Sequence, residues 1–268
     1  MILSDFHTHT TFSDGKNTPE EMILYAISIG VSELGFSEHA TANNDYSIRK
    51  KDVPRYRREI TALADKYKEK INILCGIELD ADADDTQAGY DYTIASVHDL
   101  TVCGKTYCVD YTAEETLRAL KDGFGGSFDS YAEAYFEKLT SFVLKSGANI
   151  VGHFDLITKF SELGVPFDEN SSRYRMAWQS ALSALYDKAV FEINTGAISR
   201  GYRTTPYPSV SILKELQKLG GKVVLSGDAH SCQTICANFE NAKQILKSCG
   251  FTKAGFTDRH GIYHTQIE

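Results

Sequence analysis

Short apolar runs alternate along this chain with longer stretches in which apolar residues return every three or four positions. The first pattern predicts buried strands and the second amphipathic helices. Seven runs read as strands: residues 2–6, 31–36, 71–79, 92–97, 149–151, 189–193 and 222–225. The first helix opens at Thr18-Pro19-Glu20-Glu21, with Thr18 as N-cap, Pro19 at N1 and Glu21 at N3, and Gly30 ends it. Further helices are predicted at 53–69, rich in i,i+4 charge pairs, and at 113–122, 128–146, 171–187, 208–219 and 238–248. Residues 101–109 read as a small hairpin, and the tail as one more strand.

Seven strands joined mostly by helical crossovers predict an α/β fold with a parallel sheet. The count suits a barrel better than an open sheet. No Gly-x-Gly-x-x-Gly follows any strand, which counts against a dinucleotide-binding fold. No repeat, low-complexity tract or linker divides the chain, so residues 1–268 are expected to form one domain.

Composition narrows the functional classes. Apolar residues make up 42% and charged residues 24%, enough for an ordinary core. A net charge of −8 argues against a nucleic-acid-binding face while leaving room for a local basic pocket. There is no apolar run of about 18 residues, and the start, MILSDFHTHT, is too short and polar for a signal peptide. The six cysteines lack a Cys-x-x-Cys spacing, and Cys103 and Cys108, although they flank a turn, are expected to stay reduced. A cytoplasmic protein without membrane contact is expected. The acidic run at 80–85, DADADD, reads as a solvated loop.

The candidate chemistry gathers at the ends of the predicted strands. His7 and His9 follow the first, Glu38-His39 the second, Glu78 closes the third, His98 follows the fourth, His153 the fifth, and Asp228 and His230 the seventh. Six of the eight histidines therefore lie just past a strand. In barrel enzymes the active site is built on that face. His7/His9 and Asp228/His230 are i,i+2 pairs, so each pair can point one way from extended backbone. With Asp14, and leaving Glu38 aside, these residues make nine imidazole and carboxylate candidates and no thiolate, a set suited to catalytic Zn, Mn or Fe. Nine ligands are too many for one ion; two or three divalent transition metals, with Glu78 bridging, would use them. His260 and His264 are left over and read as structural or surface residues.

The segments FHTHTTFSDG, LGFSEHA, GIELD, SVHDL, VGHFDL and SGDAH resemble, in order, the motifs of the polymerase and histidinol phosphatase (PHP) superfamily. The resemblance runs from residue 2 to about residue 250. Within it, the Tyr135-Phe136 helix, VGHFDLITKF, EINTGAISRG and Pro206-Tyr207-Pro208-Ser209 resemble the monofunctional histidinol-phosphate phosphatases. The resemblance implies a distorted (β/α)7 barrel with a trinuclear metal site at the C-terminal ends of its strands. It implies that His7, His9, Glu78 and Asp228 hold one metal, that Glu78, His98 and His153 hold a second, and that Asp14, His39 and His230 hold a third. Relatives often carry Asp where this chain has Glu38, beside a ligand rather than at one.

The expected reaction is hydrolysis of L-histidinol phosphate to L-histidinol and phosphate, in histidine biosynthesis. Phosphate esters are among the slowest substrates to hydrolyse unaided. A hydroxide bridging two metals would attack phosphorus in line, while the third metal holds a phosphoryl oxygen. Glu78, Asp228 and His230 are the ligands expected to bear most directly on catalysis. Lys159, Arg200 and Arg203 follow the fifth and sixth strands and are candidates for binding the phosphate dianion. The expected partner is this small phosphate ester, with no nucleic acid. The alternative keeps the metals and changes the substrate to another small phosphomonoester, a nucleotide or an oligonucleotide phosphodiester. A non-catalytic scaffold fits less well, because the ligand set is complete. Oligomeric state is left open.

Overall fold

A computed structural model describes residues 3–42, 44–83 and 88–267 of the chain. Residue 2 of the first predicted strand and residues 84–85 of the acidic run lie outside them. The elements in order are β1 (Ser4–Asp5), α1 (Pro19–Ser28), β2 (Glu33–Phe36), α2 (Val53–Tyr67), β3 (Asn72–Asp80), β4 (Tyr92–Ser96), β5 (Asp99–Val102), β6 (Lys105–Cys108), α3 (Ala113–Gly123) and α4 (Phe128–Ser146). There follow β7 (Ile150–Val151), α5 (Ser172–Leu185), β8 (Val190–Asn194), α6 (Gly196–Ser199), α7 (Val210–Lys218), β9 (Val223–Ser226), α8 (Phe239–Ser248), β10 (Ala254–Thr257) and β11 (Tyr263–Ile267). All seven predicted strands form, within one or two residues of their expected ends. The short α6 and three 3-10 turns were not anticipated. The first helix has the capping box its sequence promised, with Thr18 accepting from the Glu21 amide and the Glu21 side chain accepting from the Thr18 amide. The i,i+4 pairing expected on α2 reduces to Arg55–Glu59 among the described residues.

Seven strands form one parallel sheet in the order β1-β2-β3-β4-β7-β8-β9. The sheet closes on itself just beyond the strand ends. Thr8 bridges Ala229 in parallel, the His9 amide donating to the Ala229 carbonyl (2.8 Å) and the Ala229 amide to the His7 carbonyl (3.0 Å). The result is the nearly closed (β/α)7 barrel that the sequence predicted. The β5–β6 hairpin stands outside it.

The predicted tail strand is half of an antiparallel hairpin, β10–β11, packed under the barrel. Phe256 of β10 enters the interior, with ring centroids 4.8 Å from Phe6 and 5.4 Å from Tyr92. Tyr92 lies across β2 and β3 and donates its hydroxyl to the Phe6 carbonyl (2.5 Å). Only glycine fits beneath that ring: a Cβ at Gly35 would stand 2.4 Å from the Tyr92 hydroxyl, and one at Gly76 2.4 Å from the ring. With Leu74, Ile94, Ile150, Val190 and Val224, these rings fill the barrel floor, so the cluster at the other end rests on a packed base.

His264 of β11 is buried at this floor between two carboxylates, Glu33 at 2.9 Å from Nδ1 and Asp258 at 3.1 Å from Nε2. Burial disfavours its protonated form, but Glu33 and Asp258 outweigh that and raise its pKa. A histidine raised on folding stabilises fully below its ordinary value of about 6.5, and that contribution is lost as pH rises through the folded value. The melting temperature of the wild type should therefore decline as pH increases above about 6.5. His264→Gln should flatten that decline in thermal melts across the same range; an equally steep decline in the variant would exclude this histidine as its source.

Candidate active site

The residues that follow β1, β2, β4, β7 and β9 converge with Glu78 of β3 at the open end of the barrel. Glu78 is buried at the centre. Its Oε1 lies 3.0 Å from His153 Nε2 and 3.5 Å from His98 Nε2; its Oε2 lies 2.9 Å from His39 Nδ1, 3.3 Å from His7 Nε2 and 3.7 Å from His9 Nε2. Asp228 Oδ1 is 3.6 Å from His9 Nε2 and 3.5 Å from His230 Nδ1, and Asp14 Oδ2 is 3.1 Å from His230 Nε2. All nine sequence candidates are thus brought into one cluster. Potential ligand atoms in three sets lie within 4.8 Å of one another: His9/Asp14/His39/His230, His7/His9/Glu78 and His39/Glu78/His98. His39 turns Nε2 toward Asp14 (3.7 Å), in the set with His230, while its Nδ1 meets Glu78.

The donor chemistry suits divalent metals. Nε2 of His7 and both ring nitrogens of His9 are buried without a hydrogen bond. A buried polar atom left this way is costly unless something else satisfies it. They face carboxylate oxygens at 3.3–4.0 Å. That is too long for good hydrogen bonds, but two ligands about 2.0–2.2 Å from one tetrahedral ion stand roughly 3.4 Å apart. Burial, with the neighbouring imidazoles of His230 and His39, drives the pKa of His9 well below its usual value, so it is neutral, as a ligand must be. Burial alone would raise the Glu78 carboxyl, yet His7, His39 and His98 outweigh it and hold it well below the usual range. Asp228 is likewise held low against burial, chiefly by Arg200 and His7.

Outer contacts fix how the imidazoles present themselves. The His98 ring holds Asp80 at Nδ1 (2.7 Å), which turns Nε2 toward Glu78. Asp80 therefore does not belong to a solvated loop, since His98 holds it inside; Asp82, two residues on, is exposed and pairs with Lys138. The His230 Nδ1 donates to the Asp228 carbonyl (3.0 Å), leaving Nε2 for Asp14. Glu38 is buried and accepts from the Thr10 amide (3.0 Å) and hydroxyl (2.7 Å) and from Ser13, so it anchors the loop that carries Asp14. Glu192 in the middle of β8 contacts His7 Nδ1 at 2.5 Å. The sequence reading passed over Glu192, although a lone acid inside the apolar run VFEIN was a usable signal.

Above the cluster lies a cleft of about 320 Å³, lined among others by Tyr46, Asp110, Tyr111, Lys159, Arg200 and Tyr202. The Arg200 guanidinium reaches it beside Asp228 (2.9 Å) and His230 (3.3 Å). Lys159 reaches it too, with Nζ 2.7 Å from the Asp110 carbonyl and 3.1 Å from its carboxylate. Burial alone would raise the Asp110 carboxyl, but Lys159 and His98 outweigh it and keep it ionised. Arg203 does not reach the cleft. It is buried behind it, bonded to Thr158 and Thr205 and stacked on Tyr207 (4.6 Å to the ring centroid). Burial raises the pKa of the Asp155 carboxyl, and the charge of Arg203 offsets only part of that; Asp155 also accepts from the Ser209 amide (3.0 Å). Arg203→Ala should lower stability in denaturant titrations by roughly 1.5–3 kcal/mol, the value of a charge-assisted hydrogen bond, and adding Asp155→Asn should restore part of it. No recovery in the double variant would exclude the pairing.

Several comparisons bear on this site. The sequence profile of the PHP domain matches residues 5–196. A histidinol-phosphatase of Lactococcus lactis is 29% identical over 92% of this chain and 91% of its own. A solved structure of histidinol phosphate phosphatase from the same organism, complexed with zinc, L-histidinol and phosphate, superposes with a TM-score of 0.67 at 25% identity, covering 95% of this chain and 96% of that one. A solved Listeria monocytogenes structure shares the fold with a TM-score of 0.76 at 23% identity, over 89% of this chain and 99% of that one.

Proposed function

Because the chain belongs to the PHP domain family, we propose that its barrel-end cluster serves a metal-dependent phosphomonoesterase that hydrolyses L-histidinol phosphate to L-histidinol and phosphate. The observation that carries this reading is the buried array around Glu78, with neutral His9 and free imidazole nitrogens aimed inward, beneath a cleft that offers fixed cations. Similarity to histidinol phosphatases over nearly the whole chain supplies the substrate.

About two to three divalent ions (Zn, Mn or Fe) suit these donors. His7, His9, Glu78 and Asp228 would hold one, Glu78, His98 and His153 another, and Asp14, His39 and His230 a third. Held there, such ions acidify bound water and neutralise phosphoryl oxygens. Asp228 and His230, which line the cleft, and Glu78, buried against His98 and His153 of its lining, are the ligands that bear most directly on the reacting phosphate in this reading. Arg200 and Lys159 supply further positive charge at the mouth; a guanidinium can hold two phosphoryl oxygens at once, an ammonium serves as a point charge. Buried Arg203 takes no part in binding.

The substrate also carries an ammonium group, and Asp110 offers the cleft wall an ionised carboxylate to receive it. Tyr46, Tyr111 and Tyr202 give the adjoining wall aromatic faces for the imidazole. A cleft of this size suits a small molecule rather than a polynucleotide. Among the described residues no helix is long and apolar enough to cross a membrane. All six cysteines are free thiols, which favours a reducing, cytoplasmic setting.

Metal-loaded protein should contain about two to three equivalents of transition metal by elemental analysis. In a panel of phosphomonoesters L-histidinol phosphate should give the highest kcat/KM. A nucleotide or diester turned over at least about tenfold better would overturn the substrate assignment. Asp110→Asn should cut kcat/KM for L-histidinol phosphate by about ten- to a hundredfold, the value of a charge-assisted hydrogen bond. On a phosphomonoester lacking the amine the loss should be smaller, limited to the weakened hold on Lys159. Equal losses on both substrates would remove Asp110 from amine recognition.

A further inference from the structure

Glu192 is wholly buried in the middle of β8, yet its carboxylate reaches three other strands of the barrel. One oxygen lies 2.5 Å from His7 Nδ1, beyond β1, and accepts from the hydroxyl of Ser226, the last residue of β9. The other accepts from the backbone amide of His153, beyond β7, at 2.7 Å. Ser226 stands two residues before Asp228. The carboxylate therefore touches His7, the His153 backbone and the stem that carries Asp228.

All three partners are donors: an imidazole N–H, an amide N–H and a hydroxyl. A carboxylate accepts at both oxygens and satisfies them together. Glutamine has nearly the same shape, but its NH2 group would have to oppose one of the N–H donors. Burying an ionised carboxylate is expensive, and a purely structural bond would not require the charge. His7 supplies the reason for it. With its Nδ1 proton held by Glu192, His7 keeps its Nε2 lone pair for the interior, 3.3 Å from Glu78 and 4.0 Å from Asp228.

We propose that Glu192 is a positioning residue for the metal centre: it fixes the ring of His7, the amide of His153 and, through Ser226, the approach to Asp228, and so couples the two metal positions that share Glu78. The third position, formed by Asp14, His39 and His230, has no contact with it and should be independent of it. This role rests on the metal-centre reading above but not on the identity of the substrate.

The test uses the full chain stripped with chelator and titrated with zinc, by calorimetry and by competition with a chromophoric chelator. Outer-shell partners of metal ligands typically contribute ten- to a hundredfold in affinity. Glu192→Gln should lose about that factor at the two positions sharing Glu78 and keep wild-type affinity at the third. In zinc-loaded wild type, the Nδ1 proton of His7 should give a strongly downfield NMR signal that disappears in Glu192→Gln. Glu192→Asp restores the charge on a side chain one methylene shorter, which cannot reach His7 and the His153 amide together. It should weaken zinc binding less than Glu192→Gln, and it provides the readout if that variant fails to fold. Wild-type zinc affinity in both variants, or equal weakening at all three positions, would overturn the proposal. Failure of the wild type to bind zinc at all would instead overturn the metal centre itself.

Discussion

Everything at the open end of this barrel depends on how β1 meets β9. The two strands are too short to pair along their length, and main-chain bonds join them only beyond their ends, at Thr8 and Ala229. Below that bridge the buried Asp5 carboxylate substitutes for a ladder, accepting from the Gly227 amide (2.9 Å) and the Cys236 amide (2.9 Å). Lower still, the Gln266 side chain fills the seam, donating to the carbonyls of Ser4 and Leu225 (2.8 Å each) and accepting from the Leu225 amide (2.6 Å). Unpaired backbone polar groups inside a protein are expensive, and these side chains pair the amides of Gly227, Cys236 and Leu225 and the carbonyls of Ser4 and Leu225. Its closure sets His7 and His9 beside Asp228 and His230, residues more than 200 positions apart in the chain.

The second constraint is electrostatic. Carboxylates and imidazoles are packed around the buried Glu78, and neither kind of group could be buried alone at small cost. Each carboxylate is kept ionised by surrounding imidazoles or Arg200, and His9 is kept neutral by its neighbours. An outer set of acids then orients the rings: Asp80 holds His98, and Glu192 holds His7. The basic side chains of the cleft are restrained too, Lys159 by Asp110 and Arg200 by Asp228. A phosphate ester therefore meets charges already in place rather than flexible side chains that must first be ordered, the condition under which electrostatic catalysis is most effective.

Much of this was legible in the sequence. Strand and helix periodicity gave the barrel, the Thr18–Glu21 capping box was visible as written, and the histidines announced the site because they follow strands rather than falling at random. The shortfalls share one cause: a charged residue's fate depends on what lies across the barrel. Asp80 looked like the start of a solvated run, but His98 takes it inside. Arg203 looked as good a phosphate-binding candidate as Arg200, but Thr158, Thr205 and Tyr207 hold it behind the cleft. Gln266 carries no local signal at all; its role exists only once Ser4 and Leu225 stand side by side. Glu192 was the exception, since an acid in the middle of an apolar strand requires a partner wherever that partner lies.

The seam also bears on how such a chain is made. Gln266 and Ser4, whose contact completes the floor, are 262 residues apart, and Asp5 and Gly227 are 222 apart. Contacts of such long range form slowly, because the entropy of closing the loop is lost before any contact offsets it. During synthesis the first six strands are complete long before the residues that lock them together have left the ribosome. Until then the edges of β1 and β8 are unpaired, and a nascent barrel is an open, sticky sheet. The vulnerable interval for this protein is thus the one between the emergence of β8 and that of Gln266, when one seam turns a sheet into a vessel.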